Sequence, residues 1–192
     1  MFERFLYKSK SPEIAKAQKD FERYRKWLHF DENQLQGKTI LDIGSADSRF
    51  GEYVEQQYPD TKVLRFDVRQ EPDNRVDFIA RADQIPLKAE TIDLALAHAS
   101  IAQNSGEYVI MALEEIFSVI KKGGEIRVAP IFDAPFPYSQ NRLRLAREYV
   151  NDLEKQGRAT GEWIDDGTKE RILKNGQKIQ ETRYCLVIKK IG

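Results

Sequence analysis

Four stretches of the chain carry backbone and side chains suited to gripping a ligand. Residues 42–51 read DIGSADSRFG. Gly44 lets the chain turn sharply after an apolar run, and the small residues Ser45, Ala46 and Ser48 let backbone come close to a bound group. The helix that follows offers free N–H groups to an anionic group. Asp67, with Val68 after it, closes the next apolar run about twenty residues on, where a carboxylate can accept both hydroxyls of a ribose. Residues 81–86 read RADQIP, and Asp83, next to Gln84, can accept a hydrogen bond from an adenine amino group. His98 and Ala99 follow the fourth apolar run. An imidazole there can act as a general base near neutral pH. It can equally pack beneath a ligand or bond a loop.

Phe132, Phe136 and Tyr138 follow the fifth apolar run, where they form either an aromatic pocket wall or simple loop packing. Arg142, Arg144 and Arg147 read as a solvated helix face, with a local anion patch as the other reading. Cys185 is the only cysteine among 192 residues, which excludes an internal disulfide and a multi-cysteine metal site, and no metal site is expected. It lies in the apolar run YCLVI and reads as core. Thirty-one basic side chains balance 31 acidic ones, so the overall basic excess of a dedicated nucleic-acid binder is missing and no nucleic-acid partner is expected. The N-terminal MFERFLYK is too charged for a secretory signal and no later run is long enough to span a membrane, so a cytoplasmic location is expected.

These residues sit at the ends of alternating elements. Residues 11–30 open with Ser-Pro-Glu and place Ile14, Ala17, Phe21, Tyr24 and Leu28 at helical spacing, ahead of the sheet. Phe21, Tyr24 and Trp27 would put that helix over the site, although core packing alone accounts for them. Strands are expected over 38–43, 62–66, 76–80, 92–97 and 125–129. Helices are expected over 52–58, 108–120 and 140–155, with Lys121-Lys-Gly-Gly124 capping the second. Residues 130–137 read as a proline-rich loop, and residues 81–91 look too short and proline-broken for a crossover helix. Asn175-Gly176 predicts a hairpin between 170–174 and 177–189. Strand–helix alternation implies a parallel sheet with right-handed crossovers.

In order and spacing these segments resemble the class I S-adenosylmethionine-dependent methyltransferases, over roughly residues 38–129. LDIGSADSRFGEYV, LRFDV, ARADQIPLKAETIDLALAHAS and ALEEIFSVIKKGGEIRVAP carry the resemblance. It implies an α/β, Rossmann-like three-layer αβα sandwich with a mostly parallel seven-stranded sheet and antiparallel C-terminal strands. It further implies S-adenosylmethionine as cofactor, with Asp42, Gly44 and Ala46 at its methionine part, Asp67 at the ribose, Asp83 and Gln84 at the adenine, and His98 to Ser100 beneath it. The family's loop is commonly D-x-G-x-G-x-G; here Ala46 and Ser48 replace the second and third glycines, and Ser48 adds a side chain near the cofactor.

One domain over 1–192 is expected: a helical segment to 36, a cofactor-binding core over 37–130, and an acceptor-side loop, helix and strands over 131–192. The expected activity is methyl transfer to a small-molecule acceptor. The rival is a non-catalytic binder or scaffold with the same fold.

Overall fold

The computed structural model describes residues 11–70, 72 and 75–192. The first ten residues of the N-terminal segment, including MFERFLYK, fall outside these. Helix α1 (Pro12–Leu28) starts where the Ser11 hydroxyl accepts from the Ile14 N–H, with proline in its first turn. It buries Ala17, Asp20, Phe21, Tyr24 and Leu28. Arg127 ties down its far end by donating to the Leu28 and His29 carbonyls, two acceptors a helix end leaves unpaired.

Strands β1 (Thr39–Ile43), β2 (Lys62–Asp67), β3 (Phe78–Ile79), β4 (Ile92–His98), β5 (Ile120–Asp133), β6 (Ala159–Ile172) and β7 (Lys178–Lys190) form one sheet in the order β3-β2-β1-β4-β5-β7-β6. The first five pair in parallel, and β7 pairs antiparallel with both β5 and β6. Alternation along the strands sorts two cores. Ile40, Leu94 and Leu96 pack with Phe21, Leu28 and Phe50 beneath α1 and α2 (Phe50–Gln57). Leu41, Ile43, Ala95 and Ala97 pack on the opposite face with Leu113 and Ile116 of α3 (Gly106–Val119) and Val150 of α4 (Pro137–Lys155). Each large apolar side chain so buried is worth about 1.5–3 kcal/mol. No helix among the described residues is long and apolar enough to cross a membrane.

Several boundaries differ from the sequence reading. Helix α2 begins at Phe50 rather than residue 52, because the Ser48 hydroxyl accepts the Phe50 N–H. Helix α3 begins at Gly106, capped by the Ser105 hydroxyl on the Tyr108 N–H. The double glycine does not cap α3, which passes directly into β5 at Ile120. The β4–β5 ladder pairs Ile92 with Ile120 and resumes at Leu94 with Glu125, so residues 121–124 bulge outward. Gly124 sits so close to the Asp93 carbonyl that a Cβ would lie 2.8 Å from it.

The expected third strand shrinks to two residues, and β5 absorbs the start of the proline-rich stretch. A register shift between Val128 and Ile131 passes over Pro130, which has no N–H to give the ladder. Helix α4 starts at Pro137, not residue 140. The segment from β3 to β4 carries no helix, and the β6–β7 hairpin turns at Gly176, φ 81°.

Candidate active site

The chain reverses its order in the sheet between β1 and β4, and a cleft of about 240 Å³ opens at the carboxyl ends of β1, β2 and β4. A ligand site in an open α/β sheet is expected at this switch point. Gly44, Ala46, Asp67, Val68 and Ala99 of the expected residues line it. So do Ile43, Phe66, Ala80, Ala82, Ser100, Ile101, Asn104 and Tyr108, which give it largely apolar walls.

The turn after β1 is built for close approach. Gly44 and Ala46 both have positive φ, 68° and 46°. The Gly44 and Ser45 N–H groups both donate to the Phe66 carbonyl, which locks the turn to β2. A Cβ on Gly44 would lie 2.4 Å from the Ser100 Cβ, so two loops meet here with no room for a side chain. The Asp67 carboxylate accepts from the Ala46 N–H at 3.2 Å and the Arg69 N–H at 3.0 Å, joining the same turn to the end of β2. The Ser100 hydroxyl oxygen is buried without a partner.

Asp42, Ser45, Ser48 and His98 do not line the cleft. Asp42 and His98 share strand parity with Ile40 and with Leu94 and Leu96, which sends them to the α1 face. There the Tyr24 hydroxyl donates to Asp42 Oδ1 at 3.0 Å, and Ser48 reaches the same phenolic oxygen. The Tyr24 ring stacks on Phe50 at 4.4 Å and lies 4.9 Å from the His98 imidazole. Asp42 is fully buried and its Oδ2 has no partner. Burial pushes its carboxyl up to about 7; the Tyr24 hydrogen bond and the Arg65 charge restrain that rise, and Asp20 adds to it. Burial, with help from Arg23, pushes His98 down to about 4 against the opposing charge of Asp20.

Asp20 fastens α1 over this loop. It is 3% exposed, accepts from the Arg49 N–H at 2.9 Å, and pairs with Lys16 and Arg23. Lys16 also donates to the Asp47 carbonyl at 2.6 Å. Tyr24 and Asp20 are the site-adjacent groups that helical periodicity alone leaves among core and surface residues. A hydroxyl and a carboxylate four positions apart on the inner face were the available signal.

Asp83 and Gln84 also stand off the cleft. Both Asp83 oxygens hold the Arg81 guanidinium, at 2.9 and 2.8 Å, which holds its carboxyl below the ordinary range. The Gln84 N–H closes a turn on the Arg81 carbonyl. Arg81 lies over the ring of cleft-lining Tyr108, 5.4 Å from its centre. At and just after the end of β5, Phe136 and Tyr138 stack at 5.6 Å with Tyr138 66% exposed, while the Phe132 ring lies under Arg183. None of the three lines the cleft. Arg142 departs from the solvated-face reading: it is 4% exposed, because residues 139, 142, 143, 146, 150 and 153 form the buried stripe of α4.

No family model and no curated protein matches the chain. Solved structures do. A methyltransferase from Methanosarcina mazei superposes with a TM-score of 0.54 at 15% identity, covering 83% of this chain and 96% of its own. The fold is that of the class I S-adenosylmethionine-dependent methyltransferases. The Burkholderia thailandensis 1,6-didemethyltoxoflavin-N1-methyltransferase, solved with 1,6-didemethyltoxoflavin and S-adenosylhomocysteine, shares this methyltransferase fold at TM-score 0.53 and 13% identity, covering 93% of this chain and 80% of its own. A Clostridium thermocellum protein assigned as an rRNA methylase gives 0.55 at 12%, covering 92% and 97%. At such identities the likeness is one of methyltransferase architecture alone.

Proposed function

We propose that this protein is an S-adenosylmethionine-dependent methyltransferase acting on a small molecule. The observation that carries the reading is the cleft itself, at the switch point, with a Gly44 turn too tight for a side chain and the Asp67 carboxylate beside it. The donor set suits the cofactor. Asp67 would hold the ribose hydroxyls and the turn at Gly44 and Ala46 the methionine part. The unpartnered Ser100 Oγ is a buried polar atom of a cleft-lining residue that a charged amino-acid moiety would satisfy. Asp83 would reach an adenine amino group only by sharing its carboxylate with Arg81. Bound S-adenosylmethionine supplies an electrophilic methyl on a sulfonium, so alignment of the acceptor is the main demand on the protein.

The apolar walls of the cleft would limit water around the reacting atoms. The His98 imidazole is held neutral near pH 7 and its ring lies against the face of Tyr24 on the α1 side of the sheet, so a base role would require the acceptor to reach it past that helix. Phe132, Phe136 and Tyr138 would flank the acceptor.

The second reading is a non-catalytic binder or scaffold. It is favoured by the Tyr24 hydroxyl occupying Asp42 and by the clamping of α1 over the loop through Asp20. Incubation with methyl-labelled S-adenosylmethionine and, separately, small-molecule and RNA fractions decides between them. Label in a small product supports the proposal. Label in RNA alone overturns the acceptor class, and bound cofactor without transfer in either fraction supports the scaffold.

A further inference from the structure

Arg142 lies on the inner stripe of α4, between the loop after β4 and the loop after β5. Its Nη1 donates to the Asn104 carbonyl at 3.2 Å, and Asn104 also lines the cleft. Its backbone packs against Gly106, whose absent Cβ would lie 3.2 Å from the Arg142 Cα. Nε is buried with no partner, and no carboxylate among the described residues comes within ion-pair distance of the guanidinium. The acids nearby are used elsewhere: Glu148 holds Arg144, and Glu107 holds Asn141. Burial lowers the proton affinity of Arg142 below that of an ordinary arginine. A buried cation without a counter-charge is costly, and proteins seldom keep one without a use for it.

A second observation meets the first. Arg142 sits just over a turn inside the N-terminus of α4, a 19-residue helix whose first turn has no acidic residue and whose N-cap Phe136 offers no side-chain acceptor. The helix therefore brings no acid of its own to its positive end, and the guanidinium has no ion-pair partner among the described residues. Stacked Phe136 and Tyr138 stand beside them, Tyr138 at the solvent rim.

We propose that the acceptor carries a carboxylate or phosphate group, bound by the Arg142 guanidinium at the N-terminus of α4. The identification of the anion as part of an acceptor rests on the methyltransferase reading; the anion site does not. A planar, fixed fork such as guanidinium reads a carboxylate or phosphate in two parallel hydrogen bonds, which an ammonium does not reproduce. The aromatic pair would take the ring or chain that carries the anion.

The test uses the intact protein, benzoate and phenyl phosphate as probes, and benzamide as the neutral isostere. The Arg142 Nε–H resonance, assigned by its loss in Arg142→Lys, is followed by NMR during titration, with thermal unfolding in parallel. Expected is a saturable shift of that resonance, and a raised Tm, with at least one anion and not with benzamide. Whether benzoate or phenyl phosphate acts more strongly separates carboxylate from phosphate recognition. Arg142→Lys should weaken the effect by about tenfold or more, and Arg142→Gln should abolish it while unfolding at no lower temperature than the parent. The proposal is overturned if benzamide acts as benzoate does, if neither anion shifts the resonance up to tens of millimolar, or if Arg142→Gln still responds. Should Arg142→Gln fail to fold, the parent titrations decide. S-Adenosylhomocysteine binding without an anion response sinks this inference alone. An anion response without cofactor binding sinks the methyltransferase reading and leaves the anion site standing.

Discussion

The Tyr24 hydroxyl donates to Asp42 Oδ1 at 3.0 Å, across 18 residues of sequence and in full burial, so helix α1 is bonded to the strand that leads into the cleft turn. The other carboxylate oxygen is left unpaired. Tyr24→Phe removes the only side-chain hydrogen-bond donor that Asp42 has among the described residues. The variant should lose about 1–3 kcal/mol, the cost of stranding a buried polar group. The Asp42 carboxyl should rise further above about 7, since that hydrogen bond restrains it. Denaturant unfolding and carboxyl titration by NMR check both; unchanged values would mean the contact carries no energy.

Asp42 and His98 pull the stability–pH curve in opposite directions. The Asp42 carboxyl is raised from 3.8 to about 7, so its contribution is complete below about pH 4 and is lost as pH rises through about 7. The His98 imidazole is lowered from 6.5 to about 4, so its contribution is complete above about pH 6.5 and is lost as pH falls through about 4. Asp42→Asn should therefore be more stable than the parent at pH 8, by up to about 4 kcal/mol, and equal to it at pH 4. Its own curve should then fall on the acid side, exposing the His98 loss. Thermal unfolding across that range checks this, and a stability difference that does not change with pH would contradict it.

Gly44→Ala puts a methyl 2.4 Å from the Ser100 Cβ at a φ of 68°. The cost should be about 2–4 kcal/mol, from overpacking together with left-handed strain. Adding Ser100→Gly removes the clash but not the strain, so the double variant should recover part of the loss. Additive losses in denaturant unfolding would show that the two loops do not press on each other.

The strand-end sites were legible because each follows an apolar run and chain order fixes their spacing. Asp67 and the turn at Gly44 do meet at one cleft. Asp42 and His98 were legible as residues but not as a pair on the α1 face; period-two parity groups them with Ile40 and Leu96, yet only the placement of α1 says which face that is. Tyr24 reads as one more core aromatic, since helical spacing is blind to a hydroxyl. Arg142 was readable from its spacing to Ser139 and Ala146, but three arginines in six residues suggest solvent. The glycine pair after α3 misled because a bulge and a helix cap call for the same residue type. Asp83 has the expected position, and nothing in sequence shows that Arg81, two residues earlier, takes both its oxygens.

Asp67 has a structural duty besides its proposed one, because its carboxylate bridges Ala46 and Arg69. Asp67→Ala should weaken S-adenosylhomocysteine binding by about 1.5–3 kcal/mol, the range for a hydrogen bond to a charged group. It should also lower the stability of the ligand-free protein by about 1 kcal/mol. Paired titration and unfolding measurements separate the two, and intact affinity would remove Asp67 from the ribose site.

Calorimetric titration of the protein with S-adenosylhomocysteine, with NAD as the control dinucleotide, tests the central claim most directly. The cleft at the Gly44 turn predicts saturable one-to-one binding in the micromolar range, about −8 kcal/mol, with no response to NAD. An absence of heat and of competition up to millimolar S-adenosylhomocysteine would contradict it.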